Sequence, residues 1–134
     1  MKKVLVMGLA IAVLITGVTW MKTSFVSAGQ KRVLRHVVLF KYKAEATPAQ
    51  IQDVEKNFLA LKGKIKTVLD IEAGNNVSIE NMNQGFTDAF MVTFADEAGR
   101  AAYLPHPDHK KFAGSLGPVI DKVLVIDFWS HPAK

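Results

Sequence analysis

The stretch Phe86-Thr87-Asp88-Ala89-Phe90-Met91-Val92-Thr93-Phe94 decides the fold. Phe86, Asp88, Phe90, Val92 and Phe94 fall on one side of an extended chain; Thr87, Ala89, Met91 and Thr93 fall on the other. A period of two is that of a strand. The residues just before it, Asn81-Met82-Asn83-Gln84-Gly85, form a turn cluster. Before that cluster, Val68-Leu69-Asp70-Ile71-Glu72-Ala73-Gly74 reads as another strand, with an irregular continuation to Ile79. Two strands in succession, with no helix between them, therefore occupy the middle of the chain.

Outward from this pair the pattern changes period on both sides. Towards the N-terminus, Ile51, Val54, Phe58, Leu61 and Ile65 recur at spacings of three and four, one face of a helix. Thr47-Pro48-Ala49-Gln50 starts that helix: Thr47 as N-cap, Pro48 at the first helical position, Gln50 three residues after the cap. Gly63 marks its fraying end. Arg35-His36-Val37-Val38-Leu39-Phe40-Lys41-Tyr42-Lys43 precedes it as a first strand, so nearly continuous in apolar residues that both faces should be covered. Towards the C-terminus, Asp96 can cap a helix to about Leu104. Pro105 and Pro107 interrupt it, a further helical stretch runs from Asp108 to Leu116, and Gly117-Pro118 ends that stretch. Lys122 to Trp129 is the last strand. The order is β-α-β-β-α-β, an α+β ferredoxin-like split βαβ arrangement with an antiparallel sheet and helices on one face. The other sheet face, still apolar, calls for a second copy.

The chain has 134 residues, 17 Lys plus Arg, 12 Asp plus Glu, four His and no Cys, with 49% apolar residues. That allows one domain and excludes wholesale disorder. The lack of Cys excludes a disulfide framework, a thiol nucleophile and a thiolate zinc site. Met1-Lys2-Lys3, the apolar run Val4–Val18, and the polar Lys22-Thr23-Ser24 ahead of Val26-Ser27-Ala28 have the three-part layout of a secretory signal peptide. Residues 1–28 are expected to be removed, leaving 106 residues exported to the periplasm or outside; the alternative is an N-terminal membrane anchor. The segment carries Lys2, Lys3 and Lys22 and no acid, so the formal charge falls from +5 to +2. A charge of +2 with mixed signs supplies no nucleic-acid-binding face, and a cleaved chain has no membrane segment.

His and Tyr residues concentrate in Tyr103-Leu104-Pro105-His106-Pro107-Asp108-His109. His36 opens strand one and Asp88 begins strand three, and these strands are central neighbours in a split βαβ sheet. Together they could form a pocket with a base (His), a donor (Tyr) and a carboxylate orienting the His. Each has a plainer reading. His36 could be a polar strand residue paired with Asp88, His106 could satisfy loop groups, and Tyr103 could be helix core. A metal site from His36, His106, His109 and Asp88 lacks any short metal-binding signature, and no metal is expected.

Strand one, Thr47-Pro48-Ala49-Gln50, the run from Tyr103 through His106-Pro107-Asp108-His109-Lys110-Lys111-Phe112, and Val125-Ile126-Asp127-Phe128 resemble the stress-responsive dimeric A/B barrel (Dabb) domain over residues 33–130. The resemblance implies a homodimer whose sheets pack into a barrel, no cofactor, and a pocket between helices and sheet. The family includes plant stress-induced proteins without an established reaction and cofactor-independent polyketide cyclases. In the cyclases a Tyr and a His act as donor and base. These match Tyr103 and His109, and a strand-one His matches His36. A cyclase His on strand three is Asp88 here, and a helix-one aromatic hydroxyl is replaced by Phe58. Three readings follow: an exported dimer with a pocket for a small apolar or carbonyl-containing ligand, a His/Tyr lyase, cyclase or isomerase, and a dimer without turnover.

Overall fold

The computed structural model describes residues 32–131. The expected signal segment, residues 1–28, lies outside the described residues. The elements are β1 (Leu34–Tyr42), α1 (Pro48–Leu59), α2 (Leu61–Lys64), β2 (Asp70–Asn75), β3 (Asp88–Phe94), α3 (Glu97–Tyr103), α4 (Pro107–Ser115) and β4 (Ile120–Trp129). The sheet is antiparallel throughout, in the order β2-β3-β1-β4. This is the split βαβ order, with the first and third strands at the centre. Among the described residues no helix is long and apolar enough to cross a membrane.

Local chemistry sets the helix starts. The Thr47 hydroxyl accepts from the Gln50 amide at 3.3 Å, and the Thr47 amide donates to Gln50 Oε1 at 2.9 Å. This reciprocal box satisfies two of the orphan donors of α1. Asp96 caps α3 by accepting from the Gly99 amide at 2.9 Å. The apolar face that begins at Ile51 does not belong to one helix. The chain breaks at Ala60 and resumes as α2, so Gly63 lies inside a short helix and does not mark its end. The face survives the break: Val54, Phe58, Leu61 and Ile65 are all buried.

The core lies between the helices and one sheet face. Leu34, Val38 and Phe40 of β1 and Phe90, Val92 and Phe94 of β3 are buried against Phe58, Tyr103 and Phe112. Aromatic rings form its centre, with Phe58 stacked on Phe90 at 4.4 Å and 4.9 Å from Phe112. The opposite face of the sheet carries no helix. The expectation that β1 is covered on both faces therefore fails within one chain: its residues alternate between buried and half-buried. On β4 the helix-free face shows Leu124, Ile126 and Phe128, 40–51% exposed. Strand boundaries also shift. β2 starts at Asp70, after Val68 and Leu69, and the irregular continuation carries Val77 and Ile79 fully into solvent. The following turn uses positive φ at Asn81, Gln84 and Gly85. At Gly85 the φ of +85° is what favours glycine; a Cβ there would come within 2.9 Å only of the end of the flexible Lys41 side chain, which can move aside.

Candidate active site

A cavity of about 570 Å³ lies between the helix layer and β1–β4. His36, Val38 and Phe40 of β1, Phe58 of α1, Tyr103 at the end of α3, and His109 and Phe112 of α4 line it. Val123 and Val125 of β4, each about half exposed, border it on the edge strand. The lining is mainly apolar with a few converging polar groups, the usual constitution of a small-molecule site.

His109 reaches the cavity because α4 begins at Pro107, immediately after the break at Leu104-Pro105-His106. Its Nδ1 lies 2.9 Å from the Leu104 carbonyl oxygen. A carbonyl only accepts, so Nδ1 carries the proton and Nε2 keeps its lone pair. Burial holds the His109 pKa below the ordinary histidine value. The Leu104 bond opposes this, while His36 and His106 add to it. Tyr103 packs against this imidazole with ring centroids 4.3 Å apart and against His36 at 5.9 Å. Burial pushes the Tyr103 hydroxyl well above the ordinary phenol range, which keeps it a neutral donor. Among the described residues that hydroxyl has no hydrogen-bond partner. A neutral base and a protonated phenol thus stand side by side in a largely apolar cavity.

The other two candidates that the sequence suggested, Asp88 and His106, lie elsewhere. Asp88 is paired with Phe40, whereas His36 is paired with Val92, so the two are four residues apart along the ladder. Asp88 is buried beside a separate hollow, where its Oδ1 accepts from Asn75 Nδ2 at 3.1 Å and from the Tyr42 hydroxyl at 3.4 Å. The carboxylate that orients His36 is instead Asp127, opposite it on β4, with Oδ1 2.8 Å from His36 Nδ1. Asp127 Oδ2 accepts in turn from Arg100 at 2.8 Å. His106 is the N-cap of α4: its Nδ1 accepts from the Asp108 amide at 3.2 Å. Asp88 stands four ladder positions from His36, and His106 is engaged as the helix cap outside the cavity lining. Among the described residues no three His, Cys, Asp or Glu side chains converge on one point.

The family described as Stress responsive A/B Barrel Domain matches residues 34–130, nearly the whole of the fold just described. The chain belongs to the stress-responsive A/B barrel family. Among curated members, it is 37% identical over 98 residues to stress-response A/B barrel domain-containing protein HS1 of Arabidopsis thaliana, covering 73% of this chain and 90% of that one. It is 28% identical over 95 residues to olivetolic acid cyclase of Cannabis sativa, covering 71% of this chain and 94% of the cyclase. Among solved structures, At3g17210 of Arabidopsis thaliana superposes with a TM-score of 0.72 at 35% identity, over 75% of this chain and 98% of that one. A dimeric ferredoxin-like protein of unknown function from Jannaschia sp. CCS1 gives 0.64 at 25% identity, over 72% and 97%.

Within the A/B barrel frame, two residues are not evident from the sequence as site residues: Asp127, which lines the cavity, and Arg100, which holds it. Asp127 did leave a signal. It is the one acid in the otherwise apolar run Val123–Trp129. Arg100 left none, because one basic residue on a polar helix face looks like any solvated side chain.

Proposed function

We propose that this A/B barrel protein is an exported homodimer. Each subunit binds a small, largely apolar, carbonyl-containing compound and carries out proton transfer on it without a cofactor. The observation that carries this reading is the state of His109. Its Nδ1 proton is committed to the Leu104 carbonyl, its Nε2 lone pair is free, and the Tyr103 ring packs against it, tilted by 45°, with centroids 4.3 Å apart. A ligand carbonyl placed against the Tyr103 hydroxyl would receive its hydrogen bond. His109 Nε2 would take a proton from the carbon beside that carbonyl. The negative charge would move onto the carbonyl oxygen, where Tyr103 stabilises it. The imidazolium then returns its proton to the product. Burial serves both roles, since it keeps His109 neutral and strengthens the hydrogen bond from Tyr103.

The dimer reading rests on the helix-free sheet face and on the dimeric Jannaschia relative. The export reading rests on the three-part N-terminal segment. The chemistry is tested by His109→Ala and Tyr103→Phe, using compounds that mass spectrometry recovers from the purified protein. Both variants should fold and dimerise as the parent does. Turnover should fall by about 10²–10⁴ for loss of the base and by about 10²–10³ for loss of the oxyanion donor. If His109→Ala destabilises the fold and leaves ligand handling unchanged, His109 is structural and the reading is wrong.

A further inference from the structure

The proton-transfer scheme makes no use of the cavity's second histidine. His36 is only 6% exposed and lines the same cavity as His109. Its Nδ1 lies 2.8 Å from Asp127 Oδ1, and a carboxylate only accepts, so the ring proton is on Nδ1. Phe94 and Tyr103 meet the ring edge to face at 6.3 and 5.9 Å and limit its rotation. Among the described residues Nε2 has no partner. Asp127 is itself held at both oxygens, by His36 from the sheet and by Arg100 Nη1 from α3 at 2.8 Å. With Arg100 absent, the Asp127 carboxylate on the edge strand would be free to turn towards water.

We infer that Arg100 is a positioning residue: through Asp127 it holds His36 with its proton on Nδ1, so that Nε2 presents a fixed lone pair to the cavity. A ligand that suits both groups then carries a hydroxyl donor for His36 in addition to the carbonyl for Tyr103. This ligand class rests on the reading of the cavity as a ligand site; the tautomer does not. A simple tie between α3 and β4 would use the same ion pair, but it would be indifferent to which nitrogen of His36 carries the proton.

Nitrogen-15 NMR of histidine-labelled protein, at a pH where the imidazole is neutral, separates the two. The parent His36 should give the Nδ1–H pattern. Asp127→Ala should convert it to the Nε2–H pattern, Arg100→Ala should give a mixture, and Arg100→Lys should restore the parent pattern. Arg100 and Asp127 side chains are 28% and 31% exposed, so these variants are expected to fold. Should one fail to fold, the parent pattern alone still decides whether Nδ1 is protonated. An Nε2–H parent, or an Arg100→Ala pattern identical to the parent, overturns the inference. The ligand class is tested with 4-hydroxyacetophenone against 4-methoxyacetophenone. The hydroxyl compound should bind the parent roughly two- to tenfold more tightly, the worth of one hydrogen bond, and lose that advantage in Arg100→Ala. Equal binding of the pair, or binding of neither, overturns the ligand class. Failure of the tautomer pattern leaves the His109 scheme standing. Undiminished turnover in His109→Ala would remove that scheme and leave the Arg100–Asp127–His36 assignment intact.

Discussion

Ile126→Asp should turn the dimer into a monomer, and the size of the effect follows from where Ile126 sits. On β4, Val123, Val125 and Asp127 face the helices, so Leu124, Ile126 and Phe128 face the other way. Ile126 pairs with Val37 of β1, which pairs with Met91 of β3, so an apolar band crosses the helix-free face. Ile126 is 51% exposed in the single chain. Covering the exposed half of such a side chain stabilises by about 1 kcal/mol, half of the value for full burial. In a two-fold interface each substitution counts twice. Removing the isoleucine therefore costs about 2 kcal/mol per dimer, and each buried, unpaired carboxylate adds a desolvation penalty of several kcal/mol. A total of at least about 5 kcal/mol weakens the dissociation constant by more than about 10³-fold. The monomer fold should tolerate the change, because the position faces solvent on an edge strand. Light scattering at low micromolar concentration should give the mass of two mature chains for the parent and one for the variant. A parent that is a stable monomer refutes the barrel assembly. A variant that stays dimeric refutes the assignment of this face.

Three other outcomes are expected. His106→Ala removes the acceptor for the Asp108 amide at the start of α4; it should cost about 0.5–2 kcal/mol in denaturant unfolding and leave ligand affinity nearly unchanged, unlike His109→Ala. Since burial lowers the His109 pKa in the folded protein, turnover should persist below the ordinary histidine value of about 6.5 and fall only at more acid pH; by the same linkage His109 contributes stability that is complete above about 6.5 and lost as pH falls through the depressed value, so an acid limb above that of free imidazole would contradict the assignment. N-terminal sequencing of the exported protein should begin at Gly29, and an intact Met1 chain in the membrane fraction would point to the anchor.

What the sequence revealed and what it concealed divide along the range of the interactions. The strand period of Phe86–Phe94, the Thr47–Gln50 box and the Asp96 cap are set by residues within a few positions of one another; the two caps are where the local pattern puts them, and the strand starts two residues late, at Asp88. The break at Ala60 was hidden because Leu61 and Ile65 keep the spacing of the face across it, and periodicity registers which side is buried, not whether the backbone is continuous. The partner of His36 was concealed for a different reason. His36 and Asp127 are 91 residues apart, and the choice between Asp88 and Asp127 depends on strand register. Register shifts by an even number of residues would keep every apolar side chain on the same face, yet a shift of four between β1 and β3 would set Asp88 opposite His36, and a shift of two between β1 and β4 would take Asp127 away from it. Hydrophobic pattern therefore determines the fold well before it determines the site. A polar residue inside an otherwise apolar strand is the signal that sequence does offer, since it must find a partner where its solvation is reduced. Asp88 and Asp127 both meet that description, and both are satisfied: Asp88 by Asn75 and Tyr42, Asp127 by His36 and Arg100. Only Asp127 faces the cavity that His109 and Tyr103 line, so the geometry of that cavity depends on a pairing that no local stretch of the sequence contains.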